Sequence, residues 1–308
     1  MRDLTTRLRS LGFDTAGDAT SYGDGTAAAV KEFQSSRGLD ADGICDADTW
    51  AALVEAGYGL GDRLLYLTSP MSRGDDVARL QLQLGALGFD AGRVDGIFGP
   101  MTQRALLDFQ QNVGLVADEV CGPDTVAALA RLQPRAGLGT VAGVRERHLL
   151  RTQPRGLVGL RVALVHQGET DALVGTIGAD LLRLGAQAAV LVDADWSALA
   201  QQVNEFDAGL CVALVVDQSA AQEICYFETE GFSSDGGRRL GSLVLAEFPT
   251  TPTWTIGVLK GMRLPILRET RPPTVVVRIG PPAEVLEHRA LLASALGRAI
   301  TRWASEPY

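Results

Sequence analysis

One feature constrains the amino-terminal half of this chain more than any other: a segment that repeats itself once, without a gap. "LTTRLRSLGFD" begins at Leu4 and "LQLQLGALGFD" at Leu80, an offset of 80 − 4 = 76. At that offset Phe33-Gln34 meets Phe109-Gln110, Gly38-Leu39 meets Gly114-Leu115, Cys45 meets Cys121, and Asp48-Thr49 meets Asp124-Thr125. Between residues 4–53 and 80–129, 21 of 50 positions are identical, which marks a duplication. Whatever one copy folds into, the other must fold into as well.

Each copy reads as three short helices. In the second, Val77, Leu80, Leu84 and Leu87 recur at helical spacing and Gly88 closes the run. A loop "DAGRVDGIFGP" follows, and its Pro100 suits the first position of the next helix. Ala105, Leu106 and Phe109 form that helix's core face, and Asp124 is placed to cap a last helix ending near Leu129. The two modules are expected over 1–58 and 74–133. Residues 134–156, rich in Arg, Gly and Pro with little periodicity, read as a linker.

From residue 157 the period changes. Strand-like runs at 160–166, 188–195, 208–217, 223–230 and 274–280 alternate with helical patterns at 173–186, 196–206, 236–248 and 288–304. That alternation predicts an α/β three-layer domain over 157–304 with a mostly parallel sheet covered on both faces, with 223–230 as a possible edge. The fold class is therefore multidomain: two small all-α modules, then an α/β domain.

The chain of 308 residues carries a net charge of −9, with no Lys/Arg-rich run, which argues against nucleic-acid or anionic-lipid binding. No window of about 18 apolar residues predicts a membrane span. The amino-terminal stretch lacks a signal-peptide core, so a cytoplasmic location is expected. Cys45, Cys121, Cys211 and Cys225 form no C-x-x-C pair and read as reduced core residues.

The repeats resemble the peptidoglycan-binding module found on many cell-wall hydrolases. The second copy carries the resemblance in "LGF" (87–89), "VDGIFGPMT" (94–102), "ALLDFQ" (105–110) and "CGPDTVAAL" (121–129). The resemblance implies a ligand groove involving the loop, with Asp95, Gly96, Phe98 and Thr102 as candidate binding residues. The first copy replaces Asp95-Gly96 by Ala19-Thr20, which makes it the weaker binder on this reading.

The last domain resembles the zinc-dependent N-acetylmuramoyl-L-alanine amidases, through "LPILRETRPPTVVVRIG" (264–280) and "VNEFDAGLCVALVVD" (203–217). Such enzymes need three protein ligands on zinc and a glutamate that moves a proton. Here the resemblance puts Val215 at the position of a ligating histidine and Arg278 at that of the catalytic glutamate. Valine has no donor atom, and arginine offers neither an acceptor lone pair nor a basic site. The Gly-rich loop with the first histidine is missing after the first strand, and His166 and Glu169 are the only relocated candidates there. No cofactor is therefore expected, although the family uses zinc, and no catalytic residue is assigned. Arg278 instead becomes a candidate for gripping a carboxylate or phosphate, or for pairing with Glu169 or Glu223.

The functional expectation is a catalytically inactive, amidase-like protein that binds peptidoglycan fragments or lipid-linked precursor. It would regulate wall biosynthesis with cell-wall biosynthesis proteins as partners, a combination resembling actinobacterial cytoplasmic amidase-like regulators. The alternatives are an active amidase with rearranged ligands and an exported wall-binding protein.

Overall fold

A computed structural model describes residues 2–16, 21–132, 141–168, 170–218, 222–229, 231–251, 254 and 257–308. The chain divides into two compact units, Met1–Arg145 with Thr229–Phe232, and Glu146–Glu228 with Ser233–Tyr308. Among the described residues no helix is long and apolar enough to cross a membrane.

The first unit holds the duplication. Copy one contains α1 (Arg2–Ser10), α2 (Asp24–Ser36) and α3 (Ala47–Glu55); copy two contains α4 (Asp75–Ala86), α5 (Pro100–Val113) and α6 (Pro123–Arg131). Proline opens both α5 and α6, where its missing N–H costs nothing. Gly122, not Asp124, takes the cap position of α6, and Asp124 lies in its first turn. The cores repeat in detail: Phe13 meets Phe33 edge-on with centroids 5.6 Å apart, and Phe89 meets Phe109 at the same 5.6 Å. Cys121 is buried in the second core, which pushes its thiol up to about 12, whereas Cys45 is half-buried against the first.

The second module starts earlier than residue 74. Leu65 is fully buried in its core, and its backbone exchanges hydrogen bonds with Cys121, 3.3 and 2.8 Å long. Arg63 forks onto the buried Asp76, Nε–Oδ2 2.7 Å and Nη2–Oδ1 3.1 Å. The connecting segment thus supplies both an apolar plug and the counter-ion that a buried carboxylate requires.

The expected linker is corrected as well. Residues 133–140 lie outside the described residues, but Val141–Thr152 form helix α7. Its glycine and arginines obscured the pattern. The helix is fixed by contacts remote in sequence: Leu150 enters the core of the second unit, and the Glu146 carboxylate accepts from Ser234 Oγ at 2.7 Å and from the Asp235 and Gly236 N–H groups at 3.2 Å.

The second unit is an α/β domain, and every strand and helix residue from Arg161 onward falls in it except Thr229 and Phe232. Its elements are β1 (Arg161–His166), α8 (Asp171–Arg183), β2 (Gln187–Val192), α9 (Trp196–Glu205), β3 (Leu210–Val216), β4 (Gln222–Thr229), β5 (Phe232–Ser233), α10 (Asp235–Glu247), β6 (Val258–Met262), α11 (Pro265–Glu269), β7 (Thr274–Ile279), α12 (Pro282–Glu287) and α13 (Arg289–Ser305). The sheet order is β2-β1-β3-β7-β4-β5, with β6 also on β4. Pairings β1–β2, β1–β3, β3–β7 and β4–β6 are parallel, and β4–β7 is antiparallel. So β4 is interior, not an edge. The apolar runs of β1, β3 and β7 are buried almost throughout, as central strands covered on both faces require.

Candidate functional site

Two places carry the functional expectations: the carboxyl ends of the parallel strands in the second unit, and the loop after α4 in the second module.

At the strand ends, β3 and β7 run side by side with Val215 in register with Arg278. The two positions identified by family resemblance, far apart in sequence, are therefore immediate neighbours. Val215 brings only methyl groups. Arg278 Nη2 lies 3.0 Å from Asp217 Oδ2, on the residue that follows β3, and Nη1 lies 3.7 Å from Glu223 Oε2 on the antiparallel neighbour β4. All three side chains are less than one-third exposed. The arginine thus stands between two carboxylates of opposite charge. Glu223 was legible as a partner; Asp217 was not, and Glu169 lies outside the described residues.

His166 ends β1 and is completely buried. Its Nδ1 accepts from the Gly168 N–H at 3.2 Å, which leaves the ring proton on Nε2, 3.7 Å from Asp171 Oδ1. Burial pushes its pKa below the usual histidine value, and Asp171 only partly opposes this. The folded state therefore holds a neutral imidazole, while the unfolded chain takes up a proton below about pH 6.5. The associated stability is fully present above that pH and is lost as pH falls towards the depressed folded pKa. Urea unfolding at pH 7.5 and 5.5 should show this loss, and His166→Gln should reduce it. An unchanged pH difference in the variant would remove His166 as its source.

The described donors do not match a zinc site. Val215 is apolar, Arg278 is cationic, and His166 belongs to no converging group of three His, Cys, Asp or Glu side chains among the described residues. One such group exists elsewhere: Glu284, Glu287 and His288 place ligand atoms within 4.8 Å of one another. There His288 Nε2 lies 3.4 Å from Glu284, one helical turn away, and the ring packs edge-on against Trp254 at 5.4 Å. His288 is thus half-buried, and its contact with Glu284 accounts for the proximity of those two groups. His148 is exposed on α7.

The loop after α4 corrects a second expectation. Phe98 is fully buried and Thr102 nearly so, so neither offers surface to a ligand in this structure. Gln81, itself buried, organises the whole loop. Its Nε2 donates to Asp95 Oδ1 at 2.8 Å, to the Ile97 carbonyl at 3.1 Å and to Thr102 Oγ1 at 3.1 Å. Its Oε1 accepts from the Asp95 and Gly96 N–H groups at 3.1 and 2.9 Å. Gly96 has φ +74°, and a Cβ there would meet the Gly74 carbonyl at 3.0 Å, so glycine is a backbone requirement. "DGIFGPMT" is a folding device in this module. The same clip recurs at Gln34 with Asp42, Ile44 and Thr49, and at Gln110 with Asp118, Val120 and Thr125. The first copy lacks the loop clip at both ends, with Thr5 for Gln81 and Ala19 for Asp95; residues 17–20 lie outside the described residues. Beside its loop the second module exposes two large apolar side chains, Met71 and Met101.

Comparison with known proteins agrees with this layout. A family described as "Putative peptidoglycan binding domain" matches residues 1–53 and 73–129. The chain is 35% identical over 285 residues to the N-acetylmuramoyl-L-alanine amidase CwlM of Mycobacterium tuberculosis, covering 82% of this chain and 70% of that protein. The chain belongs to the N-acetylmuramoyl-L-alanine amidase family. A second relative of this amidase-family chain is a Bacillus licheniformis protein named "Probable N-acetylmuramoyl-L-alanine amidase", 34% identical over 149 residues, 43% of this chain and 42% of that one. Among solved structures, the amidase AmiC2 of Nostoc punctiforme aligns over 47% of this chain and 98% of its own, with 17% identity and a TM-score of 0.38.

Proposed function

We propose that this amidase-family chain is a non-catalytic protein that binds peptidoglycan or its lipid-linked precursor and regulates cell-wall synthesis. The observation that carries the reading is the register pair Val215–Arg278. A zinc amidase needs a metal ligand and a general base; this chain has an apolar side chain and a cation at the positions that resemble them. Two peptidoglycan-binding repeats on the same chain supply the binding half of the reading. On this reading the protein works in the cytoplasm, with cell-wall biosynthesis proteins as partners.

One observation favours a second reading, hydrolysis with rearranged ligands: the M. tuberculosis relative carries the amidase name. Metal analysis of the purified full chain, coupled to release of peptide from muropeptides, separates the two. The expected result is well under one zinc per chain and no peptide release. One zinc per chain with peptide release would overturn the non-catalytic reading.

A further inference from the structure

The crevice at the carboxyl ends of β1 and β3 has features that loss of catalysis leaves unexplained. The chain leaves β1 to form β2 on one side and returns to form β3 on the other, so β1/β3 is the switch point of the sheet order. Open α/β sheets leave a ligand crevice at such a point. A cavity of about 220 Å³ lies here, lined by Thr170, Leu173, Val216, Gln218, Val285 and Arg289 among others.

Three groups at this cavity seek an acceptor. Thr170 is only 4% exposed, and its Oγ1 has no hydrogen-bond partner. It occupies the cap position of α8 yet makes no capping bond. A buried hydroxyl left unmatched is costly, so its persistence without a local partner is a feature to be explained. The first turn of α8, a helix of 13 residues, brings unused N–H groups and the positive end of its dipole. Arg289 is exposed and makes no ion pair among the described residues. Leu173, Val216 and Val285 supply an apolar wall. Asp171, 73% exposed at the same helix end, adds one negative charge that disfavours a dianion.

We propose that this crevice binds a small carboxylate bearing a short apolar group, with the carboxylate on Thr170 Oγ1, the α8 amino end and Arg289. The proposal rests on the non-catalytic reading and names the ligand class of that domain's crevice. Direct titration of the full chain with isovalerate, isovaleramide and inorganic phosphate tests it. Isovalerate should bind in roughly the millimolar range, as its few heavy atoms allow. The amide should bind at least about fivefold more weakly, and phosphate no more tightly than isovalerate.

Thr170→Val keeps the shape and removes the unmatched hydroxyl. It should leave thermal stability unchanged or raised while weakening isovalerate binding about fivefold or more. Arg289→Ala, at an exposed position without an ion pair, should weaken binding by a similar factor at unchanged stability. Absence of isovalerate binding, equal binding of the amide, tighter phosphate binding, or wild-type affinity in both variants would each overturn the proposal. Zinc content and peptide release from the same preparation report on the underlying reading separately. Zinc-free, inactive protein that ignores isovalerate defeats this proposal alone. Zinc-loaded, hydrolysing protein that binds isovalerate defeats the non-catalytic reading alone.

Discussion

Replacing Gln81 with leucine is expected to destabilise the second module by about 3–5 kcal/mol. Leucine fills a similar space, so little of that cost is cavity. The cost comes from the groups the amide leaves behind. The Gly96 N–H is buried, and the Asp95 N–H and Ile97 carbonyl are half-buried; the buried Thr102 Oγ1 loses one bond but keeps its bond to the Ala91 carbonyl, 3.2 Å. Each buried group left unmatched costs about 1–3 kcal/mol, and water reaches the outer two. Chemical unfolding of the full chain, followed by a probe confined to the second module, measures it. Gln110→Leu, which breaks the next clip in the same module, should behave alike. A loss below about 1 kcal/mol at Gln81 would mean that the loop is held by its apolar residues alone. The first module provides a natural contrast. Its counterpart residue Thr5 has no amide group, and its hydroxyl bonds the Arg2 carbonyl within α1, at 3.2 Å.

These clips mark where sequence reading stopped. The duplication, the six module helices and the alternation of strands and helices were legible because each rests on local spacing or on identity at a fixed offset. The clips were not, because Gln81 reaches residues 14 and 21 positions away and a buried glutamine looks like a surface one in sequence. The motif "VDGIFGPMT" was visible, but the bonds of its Asp95, Gly96, Ile97 and Thr102 to Gln81 were not. Helix α7 was hidden for a related reason. Its composition is that of a linker, and its order comes from Glu146 meeting the start of α10 almost ninety residues later. At the strand ends, periodicity placed β3 and β7 correctly but could not make them neighbours. Only the register puts Val215 beside Arg278, and only the sheet order puts β4 across from it.

Arg278→Glu, which puts back the residue type that a zinc amidase uses, is expected to destabilise the second unit by about 2–4 kcal/mol at pH 7 and to gain no hydrolysis. The substitution would set three carboxylates around one point, since Asp217 stands 3.0 Å and Glu223 3.7 Å from the present guanidinium. Removing one partner of a mostly buried pair is costly in itself, and like charge adds to it. Partial exposure of all three side chains keeps the figure below that of a fully buried pair. Arg278→Met removes the cation without adding an anion and should cost about half as much. The two variants should also differ in pH dependence. The loss in Arg278→Glu should shrink as pH falls towards 4.5, where protonation relieves the repulsion, and more so than in Arg278→Met. Urea unfolding at pH 7 and 4.5 gives both numbers. Hydrolysis should not return, because Val215 still offers no ligand and a base without a metal-activated water has nothing to deprotonate. Wild-type stability in Arg278→Glu would show that the ion pairs with Asp217 and Glu223 do not hold this end of the sheet. Release of peptide by that variant would show that the rest of a hydrolytic site survives and that Arg278 alone keeps it silent.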